Sequence, residues 1–354
     1  MPTTATPTSR TALITGANGY IGNAVCHAFI RAGWTVYGLT RQSSSIPSLA
    51  REEIIPVLGS PSDTSFLPHL LAQQKAFDAI VSTTESLYDY ESHYADIISL
   101  IHAVSESSNA AGVRPLVLFT SGCKDYGMTA RADDPDLAPH TETSPLRPPE
   151  VLAPRTYTSL RVIEDEKNKA AFDAVLLRPT TVFGRSGSYY GPFFDLARAA
   201  EESESRVLSL PAHPESVVHG THVDDCADAY VAIAESDRAV VKGQIYNISG
   251  WRFETLKEVG EALVREYDLE GVRYEPPDTE GFVGFDVVGI LTGFSQWVGS
   301  EKLRREVGWR DKRQLFSVGI KGYRVAYEQA VRDGHSNVLR VRGYVQASQS
   351  EKKE

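Results

Sequence analysis

The sequence predicts a doubly wound α/β protein built on a parallel sheet, with a smaller C-terminal α/β lobe. Three observations point there. Short apolar runs recur at intervals long enough for a helix, helical stretches fill those intervals, and three glycines stand at the first strand-to-helix turn. Strands covered on both faces by crossover helices read as continuous apolar runs rather than as an alternation. Repetition of strand and helix is the pattern of a parallel sheet.

The strands are expected at TALIT (11–15), TVYGL (35–39), IIPVL (54–58), AIVST (79–83), PLVLFTS (115–121) and AVLLRP (174–179). Helices are expected over Asn23 to Ala32, Tyr94 to Ala111 and Thr158 to Ala171. Proline-rich stretches near 134–154 and 275–283 read as loops. The first strand runs into GANGYIG, which puts Gly16, Gly19 and Gly22 at the turn. Glycine suits that place because the backbone must turn sharply and because a side chain would hold a pyrophosphate away from the helix N-terminus, where free N–H groups bind anions. A glycine triplet alone is weak; one that follows a strand, opens a helix and heads a run of βα units is a dinucleotide site. The second strand ends in Leu39-Thr40-Arg41. A carboxylate there would hold the adenine ribose hydroxyls, whereas an arginine attracts a 2′-phosphate. The sequence therefore predicts NADP(H) in preference to NAD(H).

Composition narrows the partners. In 354 residues, 42% are hydrophobic, enough for a sizeable core and two lobes. A formal net charge of -10 and a pI near 5.5 argue against nucleic acid, which is bound by clustered cations. The opening MPTTATPTSR has no apolar leader, and no run approaches the roughly 18 apolar residues of a membrane span. A cytoplasmic protein with a small-molecule substrate is the expectation. Cys26, Cys123 and Cys226 lie far apart and read as reduced structural thiols. His219, His222, Asp224, Asp225 and Cys226 crowd together in HGTHVDDCAD, but the spacing fits no familiar metal site. The two aspartates are expected to satisfy N–H groups where a helix begins, and no metal is expected.

Further motifs carry a resemblance. TGANGYIG, FTSGCKDYG (119–127), YTSLR (157–161), LRPTTVFG (177–184), HVDDCADAY (222–230), IYNISG (245–250) and SEKLRREVGW (300–309) together resemble the extended short-chain dehydrogenase/reductases, the NAD(P)-dependent epimerase/dehydratase group. The resemblance implies a Rossmann-type dinucleotide domain over 1–184, completed by about 218–250. It also implies a substrate lobe over 185–217 and 251–345; residues 346–354 read as a flexible tail. It implies cofactor contacts from Gly16, Asn18, Gly19, Tyr20, Ile21, Gly22, Arg41, Thr83, Tyr157, Arg161, Pro179 and Thr181. Relatives often pair as homodimers through the helices after the fourth and fifth strands.

The family's catalytic set is a Ser or Thr, a Tyr and a Lys. Tyr157 matches the tyrosine, with Arg161 where the lysine is usual. A guanidinium supplies the same charge beside the phenol but cannot relay a proton at physiological pH. The hydroxyl residue is the third of a tripeptide that here reads Thr120, Ser121, Gly122. Ser121 substitutes only if the chain bends at the strand end, because successive strand residues face opposite ways. The alternative is that Ser121 serves its loop. Aromatic segments at 85–94, 187–196 and 281–297 supply candidate substrate contacts, Tyr88, Tyr189 and Tyr190, with Tyr126 near Gly122. Few arginines accompany them, which suits an apolar or aromatic carbonyl compound better than a nucleotide-sugar. The leading expectation is an NADP(H)-dependent oxidoreductase acting on a carbonyl or hydroxyl group. The alternatives are an epimerase, dehydratase or lyase with no net redox change, and a nucleotide-binding sensor with a weakened catalytic set.

Overall fold

In the computed structural model, which describes residues 10–86, 89–187, 189–276 and 286–351, seven strands form one sheet. They are β1 (Thr11–Thr15), β2 (Thr35–Thr40), β3 (Ile55–Leu58), β4 (Ala79–Ser82), β5 (Leu116–Thr120), β6 (Asp173–Pro179) and β7 (Ile245–Ile248). Their spatial order is β7-β6-β5-β4-β1-β2-β3. Beyond β1 the order runs one way through β2 and β3 and the other way through β4 to β7. The carboxyl ends of β1 and β4 therefore flank a topological switch point, where such sheets bind ligands. All six expected strands are present. The seventh comes from a segment noticed as a motif but not as a strand.

Register explains why those runs are wholly apolar. Leu13 on β1 stands opposite Tyr37 on one side and Ile80 on the other. Ile80 in turn faces Val117, and Val117 faces Ala174. Leu13, Ile80 and Val117 have no exposed surface and belong to a core shared with Ile97, Leu100, Ile101 and Val104 of a covering helix.

That helix, α2 (Tyr90–Ala110), follows α1 (Tyr20–Arg31) in the chain. Each starts earlier than periodicity implies. Gly19 takes the N-cap of α1, and Asp89 caps α2 by accepting from the Ser92 N–H at 3.2 Å. The helix expected over Thr158 to Ala171 is two helices, α3 (Ala153–Glu164) and α4 (Glu166–Ala171). The break lies at Asp165, whose backbone is extended at φ -70 and ψ 123. Asn168 steadies it by donating from Nδ2 to the Arg161 carbonyl at 2.9 Å, supplying a donor near the interrupted ladder.

The chain divides into two compact units. The first comprises Met1–Thr120, Tyr157–Leu177 and Tyr230–Ile245; the second comprises Ser121–Thr156, Arg178–Ala229 and Tyr246–Glu354. The second unit has its own aromatic core, in which Tyr190 and Phe193 pack on Phe316 and Phe194 stacks on Tyr327. Its helix Leu256–Glu266 opens with a reciprocal cap between Thr255 and Glu258. Among the described residues no helix is long and apolar enough to cross a membrane.

Candidate active site

The glycine loop of the first unit is built for close backbone approach. A Cβ on Gly22 would fall 2.1 Å from the Gly16 carbonyl oxygen, so no other residue fits there, and Gly16 itself turns at φ +69. The N-cap of α1 carries no side-chain hydrogen bond. A helix N-terminus opening from such a glycine turn is the place where a pyrophosphate is bound. Asn18 pins the loop to the tip of β2, donating to Gln42 Oε1 at 2.9 Å and to Ser45 Oγ at 3.3 Å. Thr83 ties the ends of β1 and β4 through its hydroxyl, which donates to the Thr15 carbonyl at 2.6 Å. Tyr20 is buried and Ile21 partly so. At the end of β2 Thr40 is buried and Arg41 is exposed, with the serines Ser43–Ser45 forming the next turn.

On α3 the helix separates neighbouring residues. Thr156 has no exposed surface, while Tyr157 is 53% exposed. Arg161 lies one turn after Tyr157 on the same exposed stripe. Its guanidinium is 3.7 Å from the Asp165 carboxylate and lies 5.4 Å from the Tyr94 ring centroid. It lines a groove along α2, α3 and α4 with Tyr94, His102 and Asn168.

The segment after β5 centres on Asp125, whose side chain is fully buried. Its carboxylate accepts from Ser121 Oγ at 2.7 Å, Arg155 Nη2 at 2.6 Å, Thr156 Oγ1 at 2.8 Å and Arg178 Nε at 3.2 Å. Burial by itself would raise its pKa, but Arg155 and Arg178 reverse that and hold it below the usual carboxylate range. Ser121 is therefore committed to this carboxylate. Gly122, at the third place of the tripeptide, faces Arg155: a Cβ there would stand 3.2 Å from Arg155 Nη2. A guanidinium thus lies over the spot where a side chain at 122 would begin.

One turn further, Lys124 enters a narrow pocket lined by Thr181, Tyr190, His219, Phe294 and Gln296. Its ammonium lies 4.0 Å from the Phe294 ring centroid. Burial, opposed by Cys123 and assisted by Arg155, lowers its pKa to about 7. Gln296 Nε2 is spent on the carbonyls of Cys123 and Gly127 at 2.8 and 2.6 Å. His219 accepts at Nδ1 from the Val298 N–H, leaving Nε2–H for the Gly250 carbonyl at 3.0 Å. Burial lowers its pKa to about 4, so it is a neutral residue of the wall.

Other expectations fall out differently. Tyr126 is fully buried; its hydroxyl donates to Asn247 Oδ1 at 2.8 Å and accepts from Arg178 Nη1 at 3.0 Å. It anchors the scaffold rather than lining the pocket, because both roles of the hydroxyl are taken. Tyr190 and Thr181 do line it, whereas Tyr189 is not among the lining residues. Pro179, at the end of β6, is buried. Tyr88 lies outside the described residues. The aspartates of the 219–226 cluster reach across to another segment instead of capping their own helix, Val223–Glu235. Asp225 accepts from the backbone N–H groups of Lys312 and Arg313, and Asp224 pairs with Arg185 and Arg313. Among the described residues no group of three or more His, Cys, Asp or Glu side chains is placed to hold a metal.

Asp125, Arg155 and Lys124 were not singled out from the sequence. Arg155 and Arg178 stand 30 and 53 residues from Asp125, and no local period links them. The one available signal was two adjacent charges, Lys124 and Asp125, a few residues after an apolar strand.

The model of the NAD dependent epimerase/dehydratase family matches residues 12–249. A ketoreductase of Aspergillus fumigatus is 24% identical over 90% of this chain and 95% of its own length. A 2-alkyl-3-oxoalkanoate reductase of Stenotrophomonas maltophilia is 25% identical over 84% and 93%. Among solved structures, the UDP-glucose 4-epimerase of Thermotoga maritima superposes with a TM-score of 0.68 at 21% identity, covering 91% of this chain and 99% of its own. The dTDP-glucose 4,6-dehydratase of Bacillus anthracis, solved with NAD, also gives 0.68, at 18% identity over 91% and 97%.

Proposed function

This chain belongs to the NAD dependent epimerase/dehydratase family, and on that premise we propose that it is an NADP(H)-dependent oxidoreductase interconverting a carbonyl and a hydroxyl on a medium-sized, largely apolar substrate. The observation that carries this reading is the match, over most of the chain, to two relatives named as reductases. In the second unit Val217, Val218, Ile290, Leu291 and Phe294 lie around a small cavity with Lys124 as its one charged group among the described lining residues. A nucleotide-sugar diphosphate calls for several cations.

The glycine loop fits a dinucleotide, since a Cβ on Gly22 would strike the Gly16 carbonyl, Gly16 turns at φ +69, and α1 opens directly from this turn. The dinucleotide, when bound, supplies or accepts the hydride. Arg41 and the hydroxyls of Ser43–Ser45 are the groups suited to a 2′-phosphate. Tyr157 supplies the proton that turns an alkoxide into an alcohol, with Arg161 as its permanently charged neighbour on α3. Arg155, fixed by Asp125 against Gly122, provides guanidinium N–H groups where relatives present a hydroxyl.

A panel of ketones and aldehydes, followed by NADPH absorbance and by product mass, tests this reading. Consumption of NADPH with a product two hydrogens heavier supports it. A product of unchanged mass, or one lighter by a water, with no net NADPH loss favours the second reading, an epimerase or dehydratase. Gly122 in the hydroxyl position and Arg161 in the lysine position are the residues that favour that alternative.

A further inference from the structure

We propose that Gln42 is a specificity-determining residue for the dinucleotide: its side-chain amide, turned by Asn18 and Ser45, offers N–H donors to the 2′-phosphate of NADP(H). This inference rests on the NADP(H) reading and adds to Arg41 a neutral neighbour that no charge or motif marks out.

A glutamine at the tip of β2 can serve either cofactor. Its Oε1 accepts from a ribose hydroxyl, as the carboxylate of an NAD site does, whereas its Nε2 carries two donors and suits a phosphate. Which cofactor gains depends on which end of the amide is left for the ligand. The protein holds one end. Asn18 Nδ2 donates to Gln42 Oε1 at 2.9 Å and to Ser45 Oγ at 3.3 Å, and Ser45 Oγ donates in turn to Gln42 Oε1 at 3.3 Å. These bonds use both hydrogens of the Asn18 amide and both lone pairs of Gln42 Oε1. Turning the Gln42 amide over sets its Nε2 hydrogens against those of Asn18, donor against donor. The oxygen is therefore held toward the glycine loop and the nitrogen is left for a ligand, on a residue that is exposed.

The backbone is held as well. The Gln42 N–H donates to the hydroxyl of the buried Thr40 at 3.2 Å, and the Ser45 N–H donates to the Gln42 carbonyl at 3.0 Å, closing the turn Ser43–Ser45. Residues 40–48, TRQSSSIPS, contain Arg41 and no carboxylate, so nothing in this stretch repels a phosphate. Asn18 stands in the glycine turn itself. It joins that turn to the tip of β2 and acts as a positioning residue for Gln42.

The test titrates NADPH and NADH by fluorescence, with thermal unfolding of each variant recorded to show that it folds. The wild type is expected to bind NADPH about tenfold or more tightly than NADH. Gln42→Glu keeps an acceptor for Asn18 and Ser45 but sets a carboxylate oxygen in place of Nε2; it should weaken NADPH about 100-fold and leave NADH unchanged or tighter. Gln42→Ala should weaken NADPH about fivefold and NADH by less than about twofold. Asn18→Ala should lower the ratio of NADPH to NADH affinity about threefold, whereas a part in the loop alone weakens both cofactors alike and leaves the ratio where it was. A preference for NADPH that survives both Gln42 variants overturns this proposal and leaves the NADP(H) reading standing. A wild type that binds NADH as tightly as NADPH overturns both. A ratio unmoved in Asn18→Ala overturns the orienting role of Asn18.

Discussion

Arg155 donates to the buried Asp125 carboxylate at 2.6 Å, and this pair organises the segment that follows β5. It fixes the guanidinium against Gly122, and the same carboxylate holds Ser121, Thr156 and Arg178. Removing one partner of a buried ion pair costs about 3–5 kcal/mol, because the other charge is left uncompensated. Asp125→Asn should therefore lower the unfolding free energy by about that amount, read from denaturant midpoints at neutral pH. The folded pKa of Asp125 is depressed, so its stabilisation is complete above the unfolded value and is lost as pH falls through the folded one. An Asp125→Asn variant whose stability matches the wild type at neutral pH contradicts this account.

Tyr157 and Thr156 should separate chemistry from folding. Tyr157→Phe is expected to lower kcat by about 100-fold or more while cofactor affinity, measured by fluorescence titration, stays within twofold. Thr156→Val should do the reverse, costing about 1 kcal/mol of stability through a lost hydrogen bond to Asp125. Unchanged turnover in Tyr157→Phe removes that residue from the proton path.

The proposed preference for NADP(H) rests on Arg41 at the tip of β2. Arg41→Ser should weaken NADPH binding about tenfold, equivalent to about 1.4 kcal/mol, and leave NADH within twofold. If both cofactors weaken alike, Arg41 is not reading the 2′-phosphate.

Two buried histidines make the fold acid-sensitive. His219 and His222 are each lowered to about 4, chiefly by burial, and each accepts at Nδ1 from a backbone N–H. Both are neutral when folded and take up a proton on unfolding. Their contribution is complete above the unfolded value near 6.5 and fades as pH falls towards about 4, on the order of 3 kcal/mol for each. Unfolding midpoints should drop over that window. His219→Gln should flatten the slope; a slope identical to the wild type would exclude His219 as a cause.

The inner strands were legible because they are buried on both faces, and burial of that kind writes itself as unbroken apolar runs such as ALI in β1 and AIV in β4, whereas the edge strand β3 is apolar in sequence yet exposes Ile55 and Leu58. The glycine loop was legible because backbone approach leaves only one residue type. Helix ends were less so: Asp89 as a cap and Asp165 as a break depend on single side chains, not on periodicity. In the candidate site Tyr157 could be found by its motif, but Asp125, Arg155 and Lys124 could not. Their roles come from partners scattered along the sequence, which no spacing rule joins.

Asp125 also sets an order for biosynthesis. It leaves the ribosome 30 residues ahead of Arg155 and 53 ahead of Arg178. Until both emerge, this carboxylate keeps its water and the segment after β5 has no reason to close. A nascent chain arrested before residue 178 should therefore expose this stretch to protease, and release of the arrest should protect it.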